Sequence, residues 1–180
     1  MDIIKTPIEG LLVLKPKVFE DTRGCFYESY NKIIFDQKLP PVTFLQDNQS
    51  HSKKNVVRGL HFQSPPFAQV KLVRVVKGAV IDIAVDIRKN SSTYGKYFKI
   101  ELNEHNQTMM WIPEGFAHGF AALADDTVFL YKCSNLYNKA SEVCLSWNDP
   151  DLNIDWEIAD PIISEKDRQG IPFKEYPGLF

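Results

Sequence analysis

The chain is built almost entirely of short stretches rich in Val, Ile, Phe and Tyr, separated by Gly, Pro, Asn and Asp, with almost no helical periodicity between them. That spacing predicts strands over Leu11–Leu14, Cys25–Tyr30, Val42–Gln46, Val56–Phe62, Val70–Lys77, Val80–Ile87, Tyr97–Leu102, Thr108–Ile112, His118–Ala122, Val128–Lys132 and Val143–Leu145. Strands in such density without intervening helices can bury their apolar faces only by stacking sheets or closing into a barrel. Two short helices are expected. One runs from an Asn31 N-cap through Lys32 to Leu39 and stops at Pro40-Pro41; the other lies near Ser164–Gln169. Lys77-Gly78, between two long strands, predicts a hairpin turn with Gly78 at positive φ. No repeat or linker-like stretch interrupts the 180 residues, so a single domain over 1–180 is expected.

Charge and cysteine content narrow the function classes. A net charge of −2 with dispersed basic residues points away from nucleic acid and anionic membrane surfaces. Three cysteines with no CxxC spacing argue against a disulfide framework and for a reducing compartment. Met1–Gly10 has no apolar run of the kind a secretion signal needs, and no segment has the length of a membrane span. A cytoplasmic protein is the expectation.

Side chains alternate along a strand, so parity shows which residues share a face. Lys71 shares a face with Val73 and Val75, and Asp82 with Val80 and Ala84. A single charge among apolar neighbours reads most simply as a solvated face; two of them on adjacent strands point to a polar pocket inside the barrel. Of four histidines, His51 and His105 lie in polar stretches and read as surface residues. His61 and His118 lie in aromatic strand contexts beside glycines, where a packed core role and a catalytic role are about equally supported. Arg58 and His61 fall on opposite faces of a regular strand, so both can reach one site only if Gly59 marks a bulge or twist.

Gly59-Leu60-His61-Phe62-Gln63, Lys71, Gly78 and Ile112-Pro113-Glu114-Gly115-Phe116-Ala117-His118 resemble the two signature stretches of cupins. Gln63 stands where metal-binding cupins have a second histidine, no glutamate follows before Gly78, and Lys71 adds a positive charge, so the site is read as metal-free. More closely, the chain resembles the dTDP-4-dehydrorhamnose 3,5-epimerase family. The resemblance runs through Phe19–Glu28, Gln46-Asp47-Asn48, Arg58–Gln63, Gln69–Val75, Trp111–Phe120, Phe129–Lys132, Trp147–Pro150 and Ile163–Arg168, in order over nearly the whole chain. It implies an all-β cupin-like jelly roll with a few short helices and a cofactor-free epimerase of a nucleotide-linked 4-keto-6-deoxy sugar.

Epimerisation beside a ketone needs a base, a stabiliser for the enolate oxygen and an acid on the opposite face. The resemblance assigns these to His61, Lys71 and Tyr131, with Asp167 orienting His61. It places Arg23, Phe26, Glu28, Gln46, Asp47, Asn48, Arg58, His118, Tyr137, Glu142 and Lys166 in contact with substrate, Tyr137 stacking on the thymine. It further implies a homodimer that exchanges N-terminal strands, so that Arg23 and Glu28 serve the partner's substrate. The chain departs from the family pattern at Asn55 (usually glycine), Gln49 (commonly histidine) and Cys133 (commonly threonine), none of them an assigned acid, base or oxyanion position. Epimerases acting on one carbon or on a GDP- or CDP-linked sugar are the sibling readings; a non-catalytic sugar-binding cupin is the reading from another class.

Overall fold

The computed structural model describes residues 1–180. In chain order the elements are β1 (Asp2–Lys5), β2 (Leu12–Lys15), β3 (Val18–Asp21), β4 (Gly24–Tyr27), α1 (Lys32–Lys38), β5 (Gln46–Ser52), β6 (Val56–Gln63), β7 (Lys71–Lys77), β8 (Ala79–Asp86), β9 (Tyr97–Asn103), β10 (Met109–Ile112), β11 (Phe116–Ala122), β12 (Thr127–Cys133), β13 (Glu142–Cys144), β14 (Ile162–Ile163) and α2 (Glu165–Arg168). One sheet has the order β1-β2-β10-β7-β12-β5 and the other β13-β6-β11-β8-β9, with β14 added in parallel to β6. The two stack as the expected cupin jelly roll. β3 and β4 form a separate two-stranded ribbon.

The central strands of both sheets are covered on both faces, which explains strands such as β8 that are buried along nearly their whole length. Val80 and Ala84 face the other sheet and pack with Val73, Val75, Phe120 and Phe129. Ile81, Ile83 and Val85 face the opposite way, under Leu145, Leu152, Trp156 and Tyr176 of the C-terminal third. On the first sheet, Phe35 and Leu39 of the α1 region cover Leu14, Leu72, Met109 and Trp111. α1 begins as expected: Asn31 Oδ1 accepts hydrogen bonds from the Ile33 and Ile34 N–H groups. Ser164 caps α2 by accepting from Asp167 N–H.

Two expectations are corrected. Lys77-Gly78 is not a hairpin turn. β7 pairs with β10 and β12, while β8 pairs with β9 and β11, so Gly78 (φ +78°) is the corner at which the chain passes between sheets. The strand expected over Val42–Gln46 instead begins at Gln46 and continues to Ser52. Its sequence, Gln-Asp-Asn-Gln-Ser-His-Ser, alternates in burial without alternating in hydrophobicity, because its inner face meets a polar cavity. β1, β3 and β14 carry too little apolar pattern to be expected at all. Asn55, where the family favours glycine, sits at φ +68°, a left-handed conformation that asparagine tolerates better than most residues.

The bulge at Gly59 is present. From Arg58 to His61, β6 takes three steps while β11 takes two, from Phe120 to His118. Gly59 adopts φ +123°, and a Cβ there would lie 2.6 Å from Gly119 Cα; a Cβ on Gly119 would lie 2.6 Å from the Arg58 carbonyl. Two facing glycines thus let the strands close around the extra residue, and Arg58 and His61 turn to the same side.

Candidate active site

Between the sheets, beyond the apolar packing around Phe129, lies a cavity of about 340 Å³. β6 and β11 contribute Arg58, His61 and His118 from one wall; β5, β7 and β12 contribute Gln46, Asn48, Lys71 and Tyr131 from the facing wall. Tyr137, Glu142, Lys166 and Asp167 also line it, carried by the segment after β12, by β13 and by α2.

His61 Nε2 meets Asp167 Oδ1 at 2.5 Å across 106 residues of sequence. Burial pushes the Asp167 carboxyl up, but hydrogen bonds from His61, Ser164 and the Gly59 N–H outweigh it and hold the group below its ordinary value. Asp167 is therefore a carboxylate at neutral pH, able to fix the imidazole ring and to stabilise positive charge on it. Lys71 is buried and donates to the His61 carbonyl at 3.4 Å. Burial drives its ammonium downward in pKa against the pull of the Cys133 thiol, Asp82 and Glu142. Tyr131 is pushed up, first by burial and then by the neighbouring Cys133 thiol, so its phenol stays protonated at neutral pH.

A second histidine–carboxylate pair lies deeper. His118 Nε2 meets Asp82 Oδ1 at 2.8 Å, and Asp82 is fully buried, its carboxyl raised by burial in spite of His118 and Lys71. Parity singled out Asp82 as a charge on an apolar face; that it partners His118 is set by the β8–β11 pairing.

At the mouth, Glu142 joins two substrate-contact candidates: Tyr137 donates to Oε2 at 2.9 Å and Lys166 to Oε1 at 2.5 Å. Burial raises Glu142, but these two partners outweigh it and leave the carboxyl lowered. The segment carrying Tyr137 is held by glutamines. Gln63 donates to the Phe67 and Leu136 carbonyls at 2.7 and 3.1 Å and accepts from Asn138 N–H at 2.7 Å. Gln46 accepts from Tyr137 N–H at 2.8 Å, and Gln69 donates to the Asn135 carbonyl at 2.8 Å. Gln63, notable in sequence only for replacing a metal-ligand histidine, is thus a structural clamp.

Four candidates lie elsewhere within the chain. Asp47 alternates to the outer face of β5, where Lys132 holds it at 2.9 Å. Arg23, Phe26 and Glu28 belong to the β3–β4 ribbon and its exit and do not line the cavity; Arg23 pairs with Asp21, and Phe26 is 73% exposed. The one cluster of metal-type donors at the cavity is His61, Cys144 and Asp167, whose donor atoms lie within 4.8 Å of one another. Cys144 was not anticipated. Its thiol is pushed up to about 12, by burial first and then by the Asp167 carboxylate.

Comparison with known proteins identifies the family of the chain. The family model described as dTDP-4-dehydrorhamnose 3,5-epimerase matches residues 5–175. The dTDP-4-dehydrorhamnose 3,5-epimerase of Shigella flexneri is 49% identical over 174 residues, 96% of each chain. The crystal structure of the enzyme of that name from Elizabethkingia anophelis superposes with a TM-score of 0.92 at 47% identity, covering 98% of both chains. The dTDP-6-deoxy-D-glucose-3,5-epimerase of Legionella pneumophila, solved in complex with dTDP-4-keto-L-rhamnose, gives a TM-score of 0.94 at 41% identity over 97% of this chain and 94% of that one. In sequence and fold alike, the chain belongs to the dTDP-4-dehydrorhamnose 3,5-epimerase family.

Proposed function

We propose that the chain is an isomerase converting dTDP-4-dehydro-6-deoxy-D-glucose to dTDP-4-dehydro-L-rhamnose by inverting carbons 3 and 5. The observation that carries this reading is the placement of His61 and Tyr131 on facing sheets of one cavity, with Lys71 in the same cavity. Inversion beside a ketone requires a proton to leave one face of the carbon and another to return to the opposite face, so a base and an acid must face each other across the ring.

In this reading His61 takes the carbon-bound proton through Nδ1, because Nε2 is engaged by Asp167. Asp167 stabilises the imidazolium that forms. Lys71 faces the enolate oxygen, where a buried ammonium is worth most. Tyr131, kept protonated, returns a proton from the far wall. His118, held by Asp82, joins Gln46, Asn48 and Arg58 around the sugar and phosphates, and Tyr137, Glu142 and Lys166 receive the nucleotide at the mouth.

The reading includes a homodimer acting in the cytoplasm. No helix of the chain is long and apolar enough to cross a membrane. The exposed ribbon, with Phe19 and Phe26 paired across it, supports exchange of N-terminal strands that would carry Arg23, Phe26 and Glu28 to the partner's cavity. A mixing experiment addresses this part: Arg23→Ala and His61→Ala proteins, each impaired alone, regain activity together if sites are built from two chains.

The primary test is NMR of the dTDP-4-keto-6-deoxy sugar with chelator-treated protein in deuterated water. Deuterium enters carbons 3 and 5 in this reading. Exchange confined to one carbon would make the chain a single-carbon epimerase, and no exchange would overturn the assignment.

A further inference from the structure

One oxygen of Asp167 serves two proton donors: Oδ1 accepts from His61 Nε2 at 2.5 Å and from the Cys144 thiol at 3.8 Å. The three residues come from three elements whose main chains fix them together. His61 and Cys144 are direct partners in the β6–β13 register, and Asp167 sits on α2, which packs against β6. Imidazole nitrogen, thiolate sulfur and carboxylate oxygen are the protein ligands that zinc accepts, at about 2.0–2.3 Å. Such bond lengths put tetrahedral ligands roughly 3–4 Å apart. The sulfur–oxygen distance already lies in that range, and the three donor atoms lie within 4.8 Å of one another. The nitrogen–oxygen separation of 2.5 Å must widen, which a rotation of His61, whose side chain is 28% exposed at the cavity wall, would allow. The thiolate and the carboxylate together would neutralise a divalent ion, which suits a half-buried position. The epimerisation chemistry leaves Cys144 without a task.

We infer that His61, Cys144 and Asp167 form an inhibitory site for a thiophilic divalent cation, zinc in the first instance. On binding, Cys144 releases its thiol proton to solvent, Asp167 contributes its carboxylate, and His61 coordinates through Nε2. The neutral imidazole then carries its single proton on Nδ1. That is the nitrogen required to be free as the base, so the bound ion silences proton abstraction even with substrate present. The inhibitory consequence rests on the functional reading above; the binding site does not.

The test uses chelator-treated protein titrated with cadmium, following the ultraviolet absorption of a cadmium–thiolate bond, and then displaced with zinc. The wild type should take up a single ion with that absorption. Cys144→Ser should lose it, and Cys25→Ser, altered at an exposed thiol, should keep it. Zinc should suppress deuterium exchange in the wild type. In Cys144→Ser the zinc needed should rise at least as much as the roughly 10–100-fold that loss of an outer-shell partner costs a metal site. Absence of the absorption in the wild type, its survival in Cys144→Ser, its loss in Cys25→Ser, or equal zinc sensitivity would each overturn the inference. If the serine variant does not fold, Cys144→Ala makes the same comparison. A protein that shows no exchange even without zinc would refute the epimerase reading alone, and the cadmium titration would still decide the site.

Discussion

Replacing Asp167 by asparagine isolates the charge that faces the base. The substitution keeps the side chain's shape and its place behind Ser164, but a neutral amide replaces the carboxylate 2.5 Å from His61 Nε2. When His61 takes a proton, the new positive charge and the carboxylate are centred about 4 Å apart, an attraction of about 4 kcal/mol at an effective dielectric constant near 20. His61 is 28% exposed, so solvent screening reduces this to roughly 2–3 kcal/mol. The transition state for proton abstraction should lose that much, slowing exchange about 30- to 150-fold. If the amide turns its NH2 towards Nε2, it holds the imidazole in the wrong tautomer and the loss approaches about 10⁴-fold. The assay is deuterium incorporation at carbons 3 and 5 under saturating substrate, with equilibrium binding of dTDP measured alongside. Exchange within about threefold of wild type, or a loss that appears wholly as weaker dTDP binding, would refute the role assigned to Asp167.

Tyr131→Phe should retain proton exchange at the substrate carbons while net inversion falls by about 10²-fold or more, a split visible when isotope wash-in and product are followed in one NMR experiment. Asp82→Ala leaves His118 Nε2 without its hydrogen-bond partner in the interior and should cost about 1–3 kcal/mol in urea unfolding. Gln63→Leu leaves Asn138 N–H and two carbonyls unpaired around the segment bearing Tyr137, so KM for the nucleotide sugar should rise more than kcat falls. Burial opposes ionisation of Asp86, but Arg88, Ser91 and Thr93 outweigh it and lower its carboxyl from 3.8 to about 2. Because the folded state holds this proton less tightly than the unfolded state, the stabilisation, about 2 kcal/mol, is complete above about pH 4 and is lost as pH falls through about 2. Asp86→Asn should therefore be less stable than wild type near neutrality, with the gap closing between pH 4 and pH 2.

What the sequence by itself determined was local. Apolar stretches between Gly, Pro, Asn and Asp fixed most strands, Asn31 and Pro40 bounded α1, and the parity of Lys71 and Asp82 marked a polar interior before any partner was known. The parity conflict between Arg58 and His61 pointed to a bulge or twist at Gly59 if both were to serve one site, and the structure has the bulge. β5 escaped notice because strand patterns are read through hydrophobicity, and its inward residues, Gln46, Asn48 and Ser50, face a cavity rather than a core. Gly78 disclosed its positive φ but not its role, because whether two successive strands pair or part is decided by which neighbours each finds elsewhere. The same holds for the site. The family resemblance could assign Asp167 to His61, but the contact spans 106 residues, and the placing of Cys144 beside both is set by the β13–β6 register. Propensity and pattern act over a few residues, whereas the chemistry depends on which strands lie side by side, and only tertiary packing decides that.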